Sequence, residues 1–241
     1  MNRRGQAGRS AQSEYRRRRR VHRRRAAGLL PLVAVGAVAA GIVTARTTGA
    51  PPLGFAAAGL VVAAYARASF GETRDAAAWR IGAQAERVTA YLLRGVERAG
   101  MVVLYDRALP GSRANIDALI VAHDRVLAVD TKRWRRDARV RVRHGTLWCG
   151  SADQSHAVAV NRWIAERVAR ELSCAAGASV PVLAVIAVHG ARVPRGGLVV
   201  DGVVVLAAGQ LPRYLGRVPV WRRDEVAAVA AAAATAFPGK P

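Results

Sequence analysis

The sequence predicts an α/β domain, a mixed sheet flanked by helices, preceded by an N-terminal two-helix transmembrane hairpin. Three observations carry this reading. Two uncharged stretches lie within residues 26–66, helical periodicity returns around residues 79–100, 155–175 and 220–237, and valine-rich runs bounded by turn residues lie between. The chain accordingly divides into a disordered Arg-rich tail (1–25), the hairpin (26–45 and 50–66), a linker (67–78) and one domain (79–241).

The tail comes first because it holds almost no apolar residue and cannot bury a core. It carries eleven of the arginines and one acid, Glu14, for a local charge of 11 − 1 = +10, against +22 for all 241 residues. Removing it still leaves 22 − 10 = +12, so the remainder is basic in its own right. Such a field excludes polycations as partners and favours nucleic acid or anionic lipid. Anionic lipid is the expected contact of the tail.

Ala26 to Ala45 is twenty residues without a charge. At about 1.5 Å rise per residue that length crosses the ~30 Å hydrocarbon core. A cleaved secretory signal would have an apolar region of about 7–15 residues and a cleavage site. Arg46 interrupts the run, and a second, alanine-rich one follows to Ala66. Arginines crowd before the first span, Arg46 stands alone in the turn, and Arg67, Arg74 and Arg80 follow the second. This bias predicts a multi-pass cell-membrane protein with both termini and the globular domain cytoplasmic.

In the domain, Ile81, Ala85, Val88, Leu92 and Val96 recur at helical spacing until Gly100. Met101–Tyr105, Ile116–Ala122, Arg125–Thr131, Arg139–His144 and Thr146–Cys149 read as strands, with a turn at His123 and Asp124. Ser155–Ala175 is a helix whose buried side is expected to carry Val158, Trp163, Ile164, Val168 and Leu172. Pro181–His189 and Leu198–Leu206 are continuous apolar runs of the kind covered on both faces, with a hairpin turn expected at Pro194–Gly197. Val220–Phe237 closes the chain as a helix. Trp148, Trp163 and Trp221 are assigned to the core, with base-stacking platforms the competing reading, and Cys149 and Cys174 to inert packing. Two cysteines without CxxC spacing exclude a disulfide framework or structural zinc site and fit a reducing compartment.

The chemistry centres on residues 114–143. Alternation along a strand puts Asp130 and Lys132 on one face and Thr131 on the other. Asp117, on the preceding strand, adds a second carboxylate, and Glu86 on the first long helix a third. Oxygen ligands of this kind suit Mg²⁺ or Mn²⁺, with the lysine orienting water or stabilising charge on a phosphate. A D-x-K alone is a common surface salt bridge, but acids bordering apolar strands need a partner. Lys132 to Arg143 holds seven basic residues and one acid, Asp137. Arg133, Arg135, Arg136, Arg139, Arg141 and Arg143 therefore read as a phosphate-tracking stripe, DNA favoured over RNA; the competing reading is a solvated edge strand. His123 and His144 read as turn residues.

GAQAERVTAYLL, NIDALIV, VLAVDTK and a polar segment with Gln154 opening a helix together resemble the nuclease-related domain (NERD). That family is a branch of the PD-(D/E)xK restriction-endonuclease-like superfamily. The resemblance covers about Gly82 to Leu172 and implies a restriction-endonuclease-like sheet. It also implies a metal-dependent nuclease centre in which Glu86 matches the helix acid, Asp117 the hairpin acid, Asp130 and Lys132 the D/E-x-K pair, and Gln154 the polar residue before the second helix. Asp130 stands where the family more often has Glu, and SADQSH lacks the Asn-Pro expected before the Gln. The expected activity is hydrolysis of DNA or RNA at the cytoplasmic membrane face; a catalytically inactive nucleic-acid-binding module is the alternative.

Overall fold

The computed structural model describes residues 7, 9–70, 74–216 and 221–240. It comprises two compact units, Gln12–Arg80 and a larger one of Met1–Ala11 with Ile81–Pro241.

The smaller unit is built on α1 (Arg9–Thr48) and α2 (Pro51–Phe70). Both are long and apolar enough to cross a membrane. Gly49, at φ +67°, turns the chain between them. Thr44, Thr47 and Thr48 donate their hydroxyls to carbonyls one turn back, which satisfies polar groups within an apolar helix. The helices approach closely at glycine. A Cβ on Gly54 would lie 2.5 Å from the Gly41 carbonyl oxygen and 2.9 Å from the Ala45 Cβ, and one on Gly41 would lie 3.3 Å from the Ala58 Cβ. Small residues at four-residue spacing on both helices permit this contact. At the other end Tyr65 donates its hydroxyl to the Ala26 carbonyl at 2.5 Å. Leu32, Val35, Val38, Phe55 and Leu60 face outward, exposed.

Two expectations differ here. The Arg-rich stretch is helical from Arg9 and continuous with the apolar span, whereas a disordered tail over 1–25 is expected from composition. Arginine is among the better helix formers, and Glu14 pairs with Arg17 and Arg18 one turn on, so a helix anchored downstream extends back through it. Residues 1–6 and 8 lie outside the described residues. The expected linker over 67–78 is also largely helical: α2 reaches Phe70 and α3 (Arg74–Leu92) starts soon after, with 71–73 outside the described residues.

In the larger unit, α3 breaks at Leu93, a short α4 (Arg94–Arg98) follows, and Gly100 at φ +93° ends it. The strands are β1 (Val102–Ala108), β2 (Asn115–Val121), β3 (Val126–Arg133), β4 (Val140–Arg143), β5 (Thr146–Cys149), β6 (Ala152–Asp153), β7 (Val182–His189), β8 (Leu198–Val200) and β9 (Val203–Ala207). The helices α5 (Ser155–Ala176), α6 (Leu211–Leu215) and α7 (Arg223–Ala236) complete it. Six strands form a mixed sheet ordered β1-β2-β3-β7-β9-β8, and β4-β5-β6 form a small second sheet. The β3–β7 and β7–β9 pairs are parallel and the others antiparallel.

Helices cover both faces of the main sheet. Leu119, Val121, Val126, Ala128 and Ile186 pack with α5 and α7 side chains such as Val168, Leu172 and Val226. Ile120, Leu127, Val129, Val185 and Leu206 pack on the other side with Leu93, Val96 and Leu211. The central parallel strands are therefore apolar throughout, as strands buried on two sides must be.

Leu198–Leu206, read as a single run, is a hairpin. Asp201 and Gly202 both take positive φ (+47° and +76°), the turn that matches strand twist. Pro194–Gly197 is a turn, closed by the Gly197 N–H on the Pro194 carbonyl, but β7 and β8 are not neighbours, so it lies in a crossover and not in a hairpin. Trp163 stands 41 % exposed where a buried position is expected; Asn161 takes that side of α5. Cys149 is buried as expected, and Cys174 is exposed. The final helix begins at Arg223, and Val220 lies outside the described residues.

The Gly41–Gly54 contact leaves no room for a side chain. Gly54→Leu is expected to destabilise the helical hairpin by about 1–3 kcal/mol, measured as a lower midpoint in denaturing-detergent titration of the full-length protein. An unchanged midpoint contradicts the close packing.

Candidate active site

The antiparallel β2–β3 ladder runs from Val121↔Val126 to Ala118↔Val129 and stops there. The next positions, Asp117 and Asp130, face each other across the open end. Alternation places both on the α5 side, in phase with Leu119 and Ala128. On its far edge β3 stays paired with β7 as far as Arg133↔His189, so Asp130 and Lys132 sit on extended, paired backbone.

Where the ladder stops, a side chain replaces it. Asp117 Oδ2 accepts the Thr131 N–H at 2.7 Å, and Asn115 Nδ2 donates to Asp117 Oδ1 at 3.3 Å. Asp130 is held from two directions: Lys132 Nζ lies 3.1 Å from Oδ1 and 2.9 Å from Oδ2, and Asn161 Nδ2 donates to Oδ2 at 3.0 Å. Asn161 also donates to the Ala157 carbonyl, and only 4 % of it is exposed.

Thr131 points to the other side of the sheet. Its hydroxyl donates to Thr89 Oγ1 at 3.5 Å, and Thr89 Oγ1 lies 2.8 Å from His189 Nε2. Thr89 is one turn beyond Glu86 on α3, so this chain fixes α3 beside β3 near the third acid. Burial, with the neighbouring Arg133 charge, holds the His189 pKa below its ordinary value and favours the neutral ring in that chain.

The electrostatics show that these groups share one field. Desolvation, then the charges of Glu86 and Asp130, push the Asp117 pKa well above the ordinary carboxylate value; the Thr131 N–H and Lys132 oppose this and lose. For Lys132 burial works to lower the pKa, but Asp130, by charge and hydrogen bond, with Asp117 and Glu86, outweighs it and holds the ammonium. Three acids and one lysine leave a formal excess of two negative charges, and all the donors are oxygens. In charge and donor type the cluster fits a hard divalent cation. Among the described residues, no three of His, Cys, Asp and Glu stand in an arrangement that could hold a metal ion; the Asp130 oxygens are taken up by Lys132 and Asn161 instead.

Of the residues singled out from sequence, Asp117, Asp130 and Lys132 thus gather at the open end of the ladder, and Glu86 reaches them through its charge. Gln154 does not join them by hydrogen bond: it precedes α5, its N–H on the Leu147 carbonyl and its own carbonyl accepting the Val158 N–H. The α5 residue that reaches Asp130 is Asn161, about 10 Å further along the axis. Its signal was available, a polar side chain in phase with Val158, Ile164, Ala165 and Val168 on the buried stripe. The six arginines are all exposed, and Arg135 is paired with Asp137, so one charge of the stripe is neutralised.

Residues 81–189 match the family model of the nuclease-related domain, NERD, which belongs to the restriction-endonuclease-like fold superfamily. All the residues of the cluster, Asn161 and Gln154 fall within that segment; β8, β9 and α7 lie beyond it. No curated protein and no solved structure matches the chain.

Because the raised Asp117 pKa reflects a native carboxylate penalised by its surroundings, ionised Asp117 costs stability above its folded pKa. That cost is relieved as pH falls through the folded pKa. Asp117→Asn, which keeps an acceptor for the Thr131 N–H, is expected to raise the thermal midpoint at neutral pH. The gain should shrink on acidification, measured by melts across pH, and a gain that grows toward low pH contradicts the assignment.

Proposed function

Since residues 81–189 carry a nuclease-related domain, we propose that the protein is a membrane-anchored, metal-dependent nuclease hydrolysing phosphodiester bonds of DNA or RNA, DNA preferred, at the cytoplasmic face. The observation that carries this is the meeting of Asp117, Asp130 and Lys132 within the field of Glu86 at the open end of the β2–β3 ladder. For Asp117, Asp130 and Glu86 to hold Mg²⁺ or Mn²⁺, the Asp130 oxygens would have to leave Lys132 and Asn161; the ion would then supply a more acidic water and neutralise charge on a phosphate.

The chain's own residues do the rest. Lys132, kept protonated by the surrounding acids, presents an ammonium to a phosphate oxygen as its charge grows. Asn161 fixes the rotamer of Asp130, and the Thr131 N–H fixes that of Asp117. Exposed arginines 133, 136, 139, 141 and 143, which follow Lys132 in sequence, supply positive charge for a phosphate backbone. The arginine bias around the two apolar helices supports a cytoplasmic domain, and the cationic helix from Arg9 suits anionic headgroups at that surface.

A second reading, a nucleic-acid-binding module without catalysis, is favoured by one observation: both Asp130 oxygens are already engaged by Lys132 and Asn161. The full-length protein in detergent, given labelled single- and double-stranded DNA and RNA with Mg²⁺ or Mn²⁺, separates the two. Cleavage that falls roughly a hundredfold or more in Asp117→Ala and in Lys132→Ala supports the nuclease. Binding without cleavage supports the module, and cleavage that survives the double variant overturns the assignment of the site.

A further inference from the structure

The β4–β5 ribbon is anchored on one side and open on the other. Val140, Leu147 and Cys149 are buried in the α5-side core. Register puts Arg141 opposite Trp148 and Arg143 opposite Thr146, and directly opposed residues project to the same face. That outward face therefore carries two guanidiniums beside one indole. His144 and Gly145, both at positive φ, make the tight turn that closes it.

A groove of about 470 Å³ opens there, lined by Arg141, Arg143, His144, Thr146, Trp148 and Ser151 among others. Arg141 is pinned, its Nη2 donating to the Gly150 carbonyl at 3.0 Å, which leaves its other N–H groups for a ligand. Trp148, assigned to the core from sequence, is only partly covered. Among the described residues no carboxylate lines the groove. The acid in register with Trp148, Asp153, spends its Oδ1 on the N–H and hydroxyl of Ser155 at the start of α5.

Resting on the nucleic-acid reading above, we propose that this groove is a stacking subsite for an unpaired base of single-stranded nucleic acid. The Trp148 ring takes the face of the base, Arg141 and Arg143 take the flanking phosphates, and the Thr146 and Ser151 hydroxyls are available to sugar or phosphate oxygens. A duplex hides its base faces in its own stack, so an indole beside two guanidiniums gains nothing from it beyond charge.

The test is binding, not cleavage: full-length protein in detergent with excess EDTA, titrated against fluorescein-labelled oligothymidine and a hairpin duplex of equal charge. The single strand is expected to bind more tightly. Trp148→Ala should weaken it roughly tenfold and leave the duplex nearly unchanged, while Trp148→Phe, which keeps a ring and the packing, should retain most of the affinity. Arg141→Ala and Arg143→Ala should each flatten the log–log salt slope by about 0.7. Equal or tighter duplex binding, or single-strand affinity indifferent to Trp148→Ala, overturns the subsite. Trp148-dependent binding in EDTA by a protein that still does not cleave when Mg²⁺ or Mn²⁺ is restored sinks the nuclease and spares the subsite; cleavage on restoring the metal, with Trp148-independent binding, does the reverse.

Discussion

The arrangement depends on one backbone donor, the Thr131 N–H, left without a ladder partner where β2 and β3 part. An unmet N–H in a partly covered position costs about 1–3 kcal/mol, and Asp117 meets it with its carboxylate. That hydrogen bond holds an acid opposite Asp130, where strand alternation alone would not hold it, and desolvation, then charge repulsion, follow as the cost. Because the far edge of β3 remains paired with β7, the strand does not fray as the near edge opens. Asp130 and Lys132 therefore stay side by side on the α5 face while Thr131 ties β3 to α3 behind them.

Much of this was legible in the chain. Period-2 alternation places Asp130 with Lys132, the His123–Asp124 turn sets the β2–β3 register, and helical spacing puts Glu86 on α3. The residues that were missed depend on longer-range facts. Asn161 reads as one polar residue on an apolar helix until Asp130 is seen opposite it. Trp148 reads as core because the sequence does not say which face of β5 is covered; the burial of Leu147 and Cys149 decides that. The Asp201–Gly202 turn was hidden by valines on both sides, although Asp-Gly is itself a hairpin signal. Composition misled at the N-terminus, since charge density speaks against burying a core but not against a helix propagated from an adjoining span.

The basic and acidic features divide the work between two sheets. The main sheet carries the carboxylates where its ladder opens, and the small sheet carries arginines on a ribbon whose other face is locked into the core. Asp130 is held in place by Lys132 with Asn161. A divalent cation at this cluster therefore has to compete with an ammonium for the same two oxygens, which makes metal affinity the point on which the account turns.

Titration of Mn²⁺ into the full-length protein without nucleic acid, followed by the loss of the free-ion paramagnetic resonance signal, measures this directly. The account predicts a saturable site that is lost in Asp117→Ala and tightened in Lys132→Ala, where the competing ammonium is gone. No bound Mn²⁺ in the wild type or in the Lys132 variant would contradict it.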